Sequence, residues 1–323
     1  MTISAAQLLA MSESDFPANL IDKPVPIPQD SILLIAGNRE TMKSMLALQL
    51  SIAIAEGKSF LGSTPNQKGR VLYVEEEVGP KGLMLRLKAM ANGAKPTNLG
   101  IRSKKGCSLE SVSTELYDVI DAIQPVLVVF DPIGPMMGSL NENDTKDAET
   151  IRKSVLNIQK ISQCTVCLLH HWNKRGRIRG NLTFENMADV ILETQRKKDT
   201  IVVTCTKHRH EMAPPPFGFK LTSSGLQLVS TSPLWLDDAL ASFCEWLLER
   251  EFEEDQLWTV KQLLGDAQGS YSDKEIRESL RKLHELKVVR RIKKSAHNQY
   301  IWGYYKKLPK WWVDFSPSTS DED

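Results

Sequence analysis

The segment from Ser31 to Gly57, SILLIAGNRETMKSMLALQLSIAIAEG, sets Gly37, Lys43 and Ser44 at the spacing G-x-x-x-x-G-K-[ST], with Met42 where that pattern has its second glycine. The apolar run before the turn reads as a buried strand and the residues after it as a helix. A polar turn opening onto a helix N-terminus is an anion site, because unpaired backbone N–H groups and the helix dipole face the incoming charge. In such a turn Lys43 would reach phosphate oxygens and the Ser44 hydroxyl would bind a divalent cation. The whole loop is a candidate for phosphate contact: Gly37, Asn38, Arg39, Glu40, Thr41, Met42, Lys43 and Ser44. Met42 costs stability if the backbone there needs positive φ, and little if φ is negative.

Two acidic strand ends supply the other groups that phosphoryl chemistry needs. PVLVVFDP is an apolar strand ending in Asp131, about ninety residues after the loop, where a carboxylate would hold Mg²⁺ directly or through water. RVLYVEEE ends in Glu75, Glu76 and Glu77, and one carboxylate at that edge of a parallel sheet could orient a water in the same crevice. Further on, His170 and His171 end another strand, followed by NKRGRIRG with Lys174, Arg175, Arg177 and Arg179, a cationic loop suited to a nucleic-acid backbone. Lys207 and Arg209 stand two apart on a late strand and point the same way, as a charge-stabilising pair delivered to a neighbour would.

Apolar strands alternate with helices from about Ser31 to Leu228, which predicts an α/β fold with a mostly parallel sheet covered on both faces. ADVILETQRKK, TIVVTCTKHR and FGFKLTSSGLQLVS read as antiparallel strands added to one edge. The 323 residues, 41% hydrophobic and 25% charged, suit one large domain and one small one. The net charge of +1 selects no partner, because opposed regions cancel within it. Apolar runs are too short for a membrane helix, and five cysteines, an odd number, fit a reducing compartment, so the expected location is cytoplasmic. Cys164 and Cys167, three apart on a strand, would face opposite sides and read as core rather than as a metal pair.

The successive stretches VLYVEEEVGPKGLMLRL, VLVVFDPIGPMMGSLNENDT, CLLHHWNKRGRIRGNLTFENMADVILE and TKHRHEMAPPPFGF resemble, in order and over about 200 residues, RepA-type hexameric replicative helicases and other RecA-like, DnaB-type P-loop ATPases. The resemblance implies a RecA-like core that binds ATP and Mg²⁺, the metal held by Ser44 and Asp131. It implies Glu77 as catalytic glutamate, a register that Glu75 or Glu76 could be confused with, and Arg86 in the following helix. His171 would sense the γ-phosphate and pass its state to the basic loop. Lys207 and Arg209 would act on the nucleotide of an adjacent subunit, hence a homo-oligomer, expected to be a hexameric ring, with single-stranded DNA as partner. Two departures, Met42 and RGNLTF where relatives carry small residues, bear on the hydrolysis rate and its coupling.

STSPLWLDD marks a boundary. The expected organisation is an N-terminal segment over 1–30, the ATPase domain over 31–230, a second domain over 236–310 and a tail over 311–323, disordered at its end. Between Tyr271 and Lys310, twelve Lys or Arg face four Asp or Glu. Helix, helix and hairpin with this charge resemble a winged helix that binds duplex DNA or, alternatively, protein. Arg277, Arg281 and Lys282 would lie on its helix, and Arg290, Arg291, Lys293 and Lys294 on its wing. The sequence reads as an ATP-dependent DNA motor, a replicative helicase or helicase-like ATPase of a plasmid, phage or other mobile element. The alternatives are a recombination-mediator ATPase without unwinding, and a nucleotide-gated DNA-binding regulator.

Overall fold

The computed structural model describes residues 4–12, 15–91, 93, 95–104, 106–173, 176–223, 225–230, 238–248, 250, 257–285, 288–294 and 300–304. The chain divides into two compact units, Met1–Val229 and Ser230–Asp323. The first begins with α1 (Ala5–Leu9) and the antiparallel pair β1 (Asn19–Ile21) and β2 (Ile27–Pro28). It continues through β3 (Ile32–Gly37), α2 (Lys43–Glu56), β4 (Val71–Glu75), α3 (Gly79–Ala91), β5 (Leu99–Ser103), α4 (Thr114–Ile123), β6 (Leu127–Asp131), α5 (Thr145–Ser162) and β7 (Thr165–His171). It closes with α6 (Thr183–Met187), β8 (Val190–Lys197), β9 (Thr200–His208), β10 (Phe217–Thr222) and β11 (Gly225–Ser230).

The nine strands of the large sheet lie in the order β11-β10-β9-β8-β3-β7-β6-β4-β5. From β8 to β5 neighbours are parallel, so β3, β4, β6 and β7 deliver their C-terminal ends to one edge. The core explains why their sequences run apolar without alternation. Leu33, Ile35, Val129 and Cys167 pack on one face of the sheet with α2, while Leu34, Ala36, Phe130 and Cys164 pack on the other with α4 and α5. Cys164 and Cys167 thus sit in separate cores. The boundary at residue 31 cuts through the first of these cores, which also buries Leu20, Ile21, Val25 and Ile27.

Antiparallel addition begins one strand later than the pattern suggests. β8 pairs parallel with β3, because the chain leaving β7 crosses over through α6 before re-entering the sheet, and β9 is the first to turn back. Helix ends follow local chemistry: Asp144 caps α5 by accepting from the N–H groups of Lys146 and Asp147, and Gly57, at φ 67°, stops α2.

The second unit comprises α7 (Asp238–Leu248), β12 (Trp258–Thr259), α8 (Val260–Ala267), α9 (Asp273–Glu285), β13 (Val289–Lys294) and β14 (Tyr300–Tyr304). Its antiparallel sheet has the order β12-β14-β13. Phe243, Leu247, Leu263, Ile276 and Leu280 form its core. Ser272 and Glu275 make the reciprocal hydrogen bonds of a capping box at the start of α9. The tail over 311–323 lies outside the described residues. Among the described residues, no helix is long and apolar enough to cross a membrane.

Candidate functional site

The turn between β3 and α2 is shaped by its neighbours in the sheet. Gly37 is glycine because a Cβ there would collide with the hydroxyl and carbonyl of Thr194 on β8. The Thr194 hydroxyl donates to Ala36 O at 3.1 Å and lies 2.7 Å from the Thr41 hydroxyl. Two residues along the same strand, Arg196 donates through Nε and Nη2 to Glu40 O at 3.2 and 2.8 Å. Glu40 and Met42 both hold left-handed backbone, at φ 62° and 58°. Position 42 therefore needs the conformation that glycine normally supplies, and Met42 adopts it with its half-buried side chain packed against the core beneath α2.

Lys43 is buried at the helix start, its Nζ donating to Gly37 O at 3.0 Å and Asn38 O at 2.7 Å. Burial lowers its pKa to about 8, against the opposing pull of Asp131 and Glu77. Asp131, at the end of β6, is 2% exposed. Its Oδ1 accepts from the Ser44 hydroxyl at 2.9 Å and its Oδ2 from the Tyr73 hydroxyl at 2.6 Å. Burial raises its pKa, while those two hydrogen bonds and Arg86 restrain the rise.

The three glutamates after β4 separate by their partners. Glu75 is buried and accepts from the N–H groups of Glu77, Val78 and Gly79 and from the Ser103 hydroxyl, so its carboxylate shapes the turn. Glu76 accepts from Gly106 and Cys107 N–H on the far side. Glu77 is exposed and faces a crevice of about 470 Å³, lined also by Arg39, Met42, Lys43, Ser44, Arg86, Asp131, His171 and Arg196. The sequence-derived groups of the loop, the acid-ended strand, Glu77, Arg86 and His171 thus converge on one cavity. The sequence pattern does not single out Tyr73, Thr194 or Arg196.

His170 is buried against Phe184, and burial lowers its pKa to about 4, which keeps the ring neutral. Its Nε2 lies 2.7 Å from Arg179 O, so Nε2–H donates there. His171 O accepts from Arg179 N at 3.0 Å, and Trp172 bridges Ile178, so the basic loop hangs directly from the end of β7. Arg177 is exposed and Arg179 pairs with Glu142; Lys174 and Arg175 lie outside the described residues. The departure RGNLTF builds the start of α6: Asn181 Oδ1 accepts from Thr183 N at 2.9 Å and from the Thr183 hydroxyl at 2.8 Å.

Lys207 and Arg209 lie elsewhere. Lys207 pairs with Ile191 near the start of β8, roughly 10 Å of strand away from Thr194, which pairs with Gly37 at the edge that carries the loop. Lys207 Nζ donates to Glu185 O at 2.7 Å, and Arg209 to Asp189 Oδ1 at 2.9 Å and to Asn186 O. In the second unit Arg281 and Arg291 are exposed, and Arg277 is paired with Asp273 on its own helix. The side chains of Lys293 and Lys294 lie outside the described residues.

Among the described residues no cluster of three or more His, Cys, Asp and Glu side chains could cage a metal ion. One hydroxyl and one carboxylate beside an anion-binding loop match the way Mg²⁺ is held with phosphates rather than by an all-protein cage. Ser44, Asp131, Lys43 and the loop amides fit ATP with Mg²⁺.

The family model described as AAA domain matches residues 14–177. The DNA repair protein RadA of Mycobacterium tuberculosis is 26% identical over 213 residues, 64% of this chain and 41% of that protein. RadA of Aquifex aeolicus is 24% identical over 204 residues, 61% of this chain and 41% of that protein. The chain thus spans about two fifths of the length of these relatives. A KaiC-like protein of Pyrococcus horikoshii OT3 superposes with a TM-score of 0.48 at 19% identity, covering 68% of this chain and 98% of that one.

The left-handed backbone at position 42 gives a direct test. Met42→Gly removes the steric cost and some packing together, so unfolding stability stays within about 1 kcal/mol of the parent and nucleotide binding is kept. Met42→Val puts a β-branched residue at positive φ and costs about 1–3 kcal/mol, with loss of nucleotide affinity. Urea denaturation and nucleotide titration of both variants measure this.

Proposed function

The chain belongs to the AAA-domain family and carries a P-loop ATPase domain, and from that premise we propose that it is an ATP hydrolase that works as a homo-oligomeric ring on single-stranded DNA, as a helicase-like motor. The observation that carries the reading is the division of the chemistry between two edges of one sheet. Lys43, Ser44, Asp131, Glu77 and Arg86 meet in one crevice, while Lys207 and Arg209 lie at the opposite edge, out of reach of it.

Within the crevice the roles follow from the chemistry. Lys43 and the loop N–H groups bind phosphate oxygens, and Lys43 would exchange its two carbonyl acceptors for them. Ser44 and Asp131 would hold Mg²⁺, which neutralises charge on the phosphates when bound. Glu77, exposed in the crevice, orients a water and takes its proton. Arg209 of one subunit, released from Asp189, supplies positive charge to the transferred phosphoryl group in the next, with Lys207 beside it. That division calls for an adjacent copy, and a hexameric ring is the arrangement the resemblance suggests.

DNA as partner is supported by the basic loop that hangs from His170 and His171, by exposed Arg177, and by the name DNA repair protein RadA of the relatives. The second unit, with its order of helix, strand, helix, helix and hairpin, supports a winged-helix reading in which α9 and β13 present Arg281 and Arg291 to duplex DNA. The similarity to RadA also favours a second reading, a repair or recombination ATPase that binds DNA without unwinding it. A strand-displacement assay separates the two.

Lys43→Ala and Asp131→Ala are expected to abolish ATP turnover with the fold intact by circular dichroism; unchanged turnover in both ends the enzyme reading. Glu77→Gln should bind ATP and fail to hydrolyse it, and the same phenotype in Glu76→Gln instead would move the glutamate by one residue.

Mixing tests the neighbour's arginine. Arg209→Ala subunits lack a term worth roughly 10³-fold or more in rate. Combined with Glu77→Gln subunits they should regain turnover, since an intact glutamate site then meets an intact arginine across an interface. A persistent monomer with full ATPase activity, seen by sedimentation with ATP and single-stranded DNA, contradicts the reading.

A further inference from the structure

Tyr73 is out of place in its strand. β4 is otherwise aliphatic up to Glu75, and Tyr73 is fully buried beside Val129 in the core that also holds Leu46 and Leu50 of α2. A buried phenol is costly unless its hydroxyl is partnered. The Tyr73 hydroxyl has two acceptors within reach, Asp131 Oδ2 at 2.6 Å and Ser44 O at 3.3 Å. With a single proton to give, it donates to the carboxylate, the nearer and charged acceptor.

Strand register makes this contact specific. Tyr73 pairs with Val129 and Glu75 with Asp131 across the parallel β4–β6 ladder, so Tyr73 and Asp131 project from the same face of the sheet, beneath the start of α2. The ring is fully buried, and its O–H holds Oδ2. Oδ1 is left to Ser44, the residue that opens the helix beside the crevice.

We propose that Tyr73 is a positioning residue for the metal site: by holding Asp131 Oδ2, it sets the carboxylate plane so that Oδ1 and the Ser44 hydroxyl present together to the Mg²⁺ that accompanies ATP. This rests on the ATPase reading above. Tyr73 touches neither nucleotide nor metal and acts only through Asp131. Hydrogen-bond partners of this kind typically contribute about 10-fold to 100-fold in metal affinity.

The test is titration of a fluorescent ATP analogue with and without Mg²⁺, on the full chain, for the parent, Tyr73→Phe, Asp131→Asn and the double variant. Phenylalanine removes one oxygen and keeps the ring. Tyr73→Phe is expected to lower the melting temperature modestly, since a buried carboxylate loses one donor, while keeping the parent's folded circular-dichroism spectrum and its metal-free affinity for the analogue. The Mg²⁺ concentration that gives half of the metal-dependent gain should rise about 10-fold or more. In the Asp131→Asn background, Tyr73→Phe should add nothing, since its target is already altered. An unchanged Mg²⁺ response, an effect that persists in full on top of Asp131→Asn, or loss of the fold in Tyr73→Phe overturns the assignment and leaves the ATPase reading standing. A parent chain that binds no nucleotide overturns both.

Discussion

A carboxylate buried at the end of a central strand is the constraint on which this site depends. Asp131 is almost wholly removed from water, and an isolated charge there would be driven toward its neutral form. Ser44 from the first turn of α2 and Tyr73 from β4 each donate a hydroxyl to it, and Arg86 from α3 adds positive charge nearby. One side chain thus ties two strands and the helix that opens the phosphate loop, and their alignment follows from satisfying it.

The loop is braced from the other side by β8. Thr194 stands over Gly37, and Arg196 holds the carbonyl of Glu40, so the left-handed turns at Glu40 and Met42 are maintained by contacts outside the loop itself. This is why a methionine can stand at position 42: its backbone strain is offset by packing against the core and by a frame that permits little else. Lys43 is meanwhile turned inward onto two loop carbonyls, a charge already positioned at the mouth of the helix.

Much of this was legible from residues alone. Continuous apolar runs such as SILLIAG and PVLVVFD identify doubly covered parallel strands, and the spacing of Gly37, Lys43 and Ser44 identifies the anion site, because both patterns are local. What was hidden depends on pairing between distant segments. The direction of β8 is one such case, because its sequence does not reveal that it pairs with β3 as well as with its hairpin partner β9. Thr194 and Arg196 reach the loop only through that pairing, more than 150 residues away in sequence. Tyr73 reads as core, since a strand pattern cannot tell a packed ring from a packed ring with a working hydroxyl. The sign of φ at Met42 is likewise a property of the folded turn.

We propose Lys43, Ser44 and Asp131 as the cradle for Mg²⁺ and the phosphates of ATP. A crystal structure with a non-hydrolysable ATP analogue and Mg²⁺ tests it most directly. In it, Lys43 Nζ is expected to leave the carbonyls of Gly37 and Asn38 for phosphate oxygens, and the Ser44 hydroxyl to ligate the cation with Asp131 beside it. An analogue bound elsewhere, with Lys43 still donating to those two carbonyls, would contradict it.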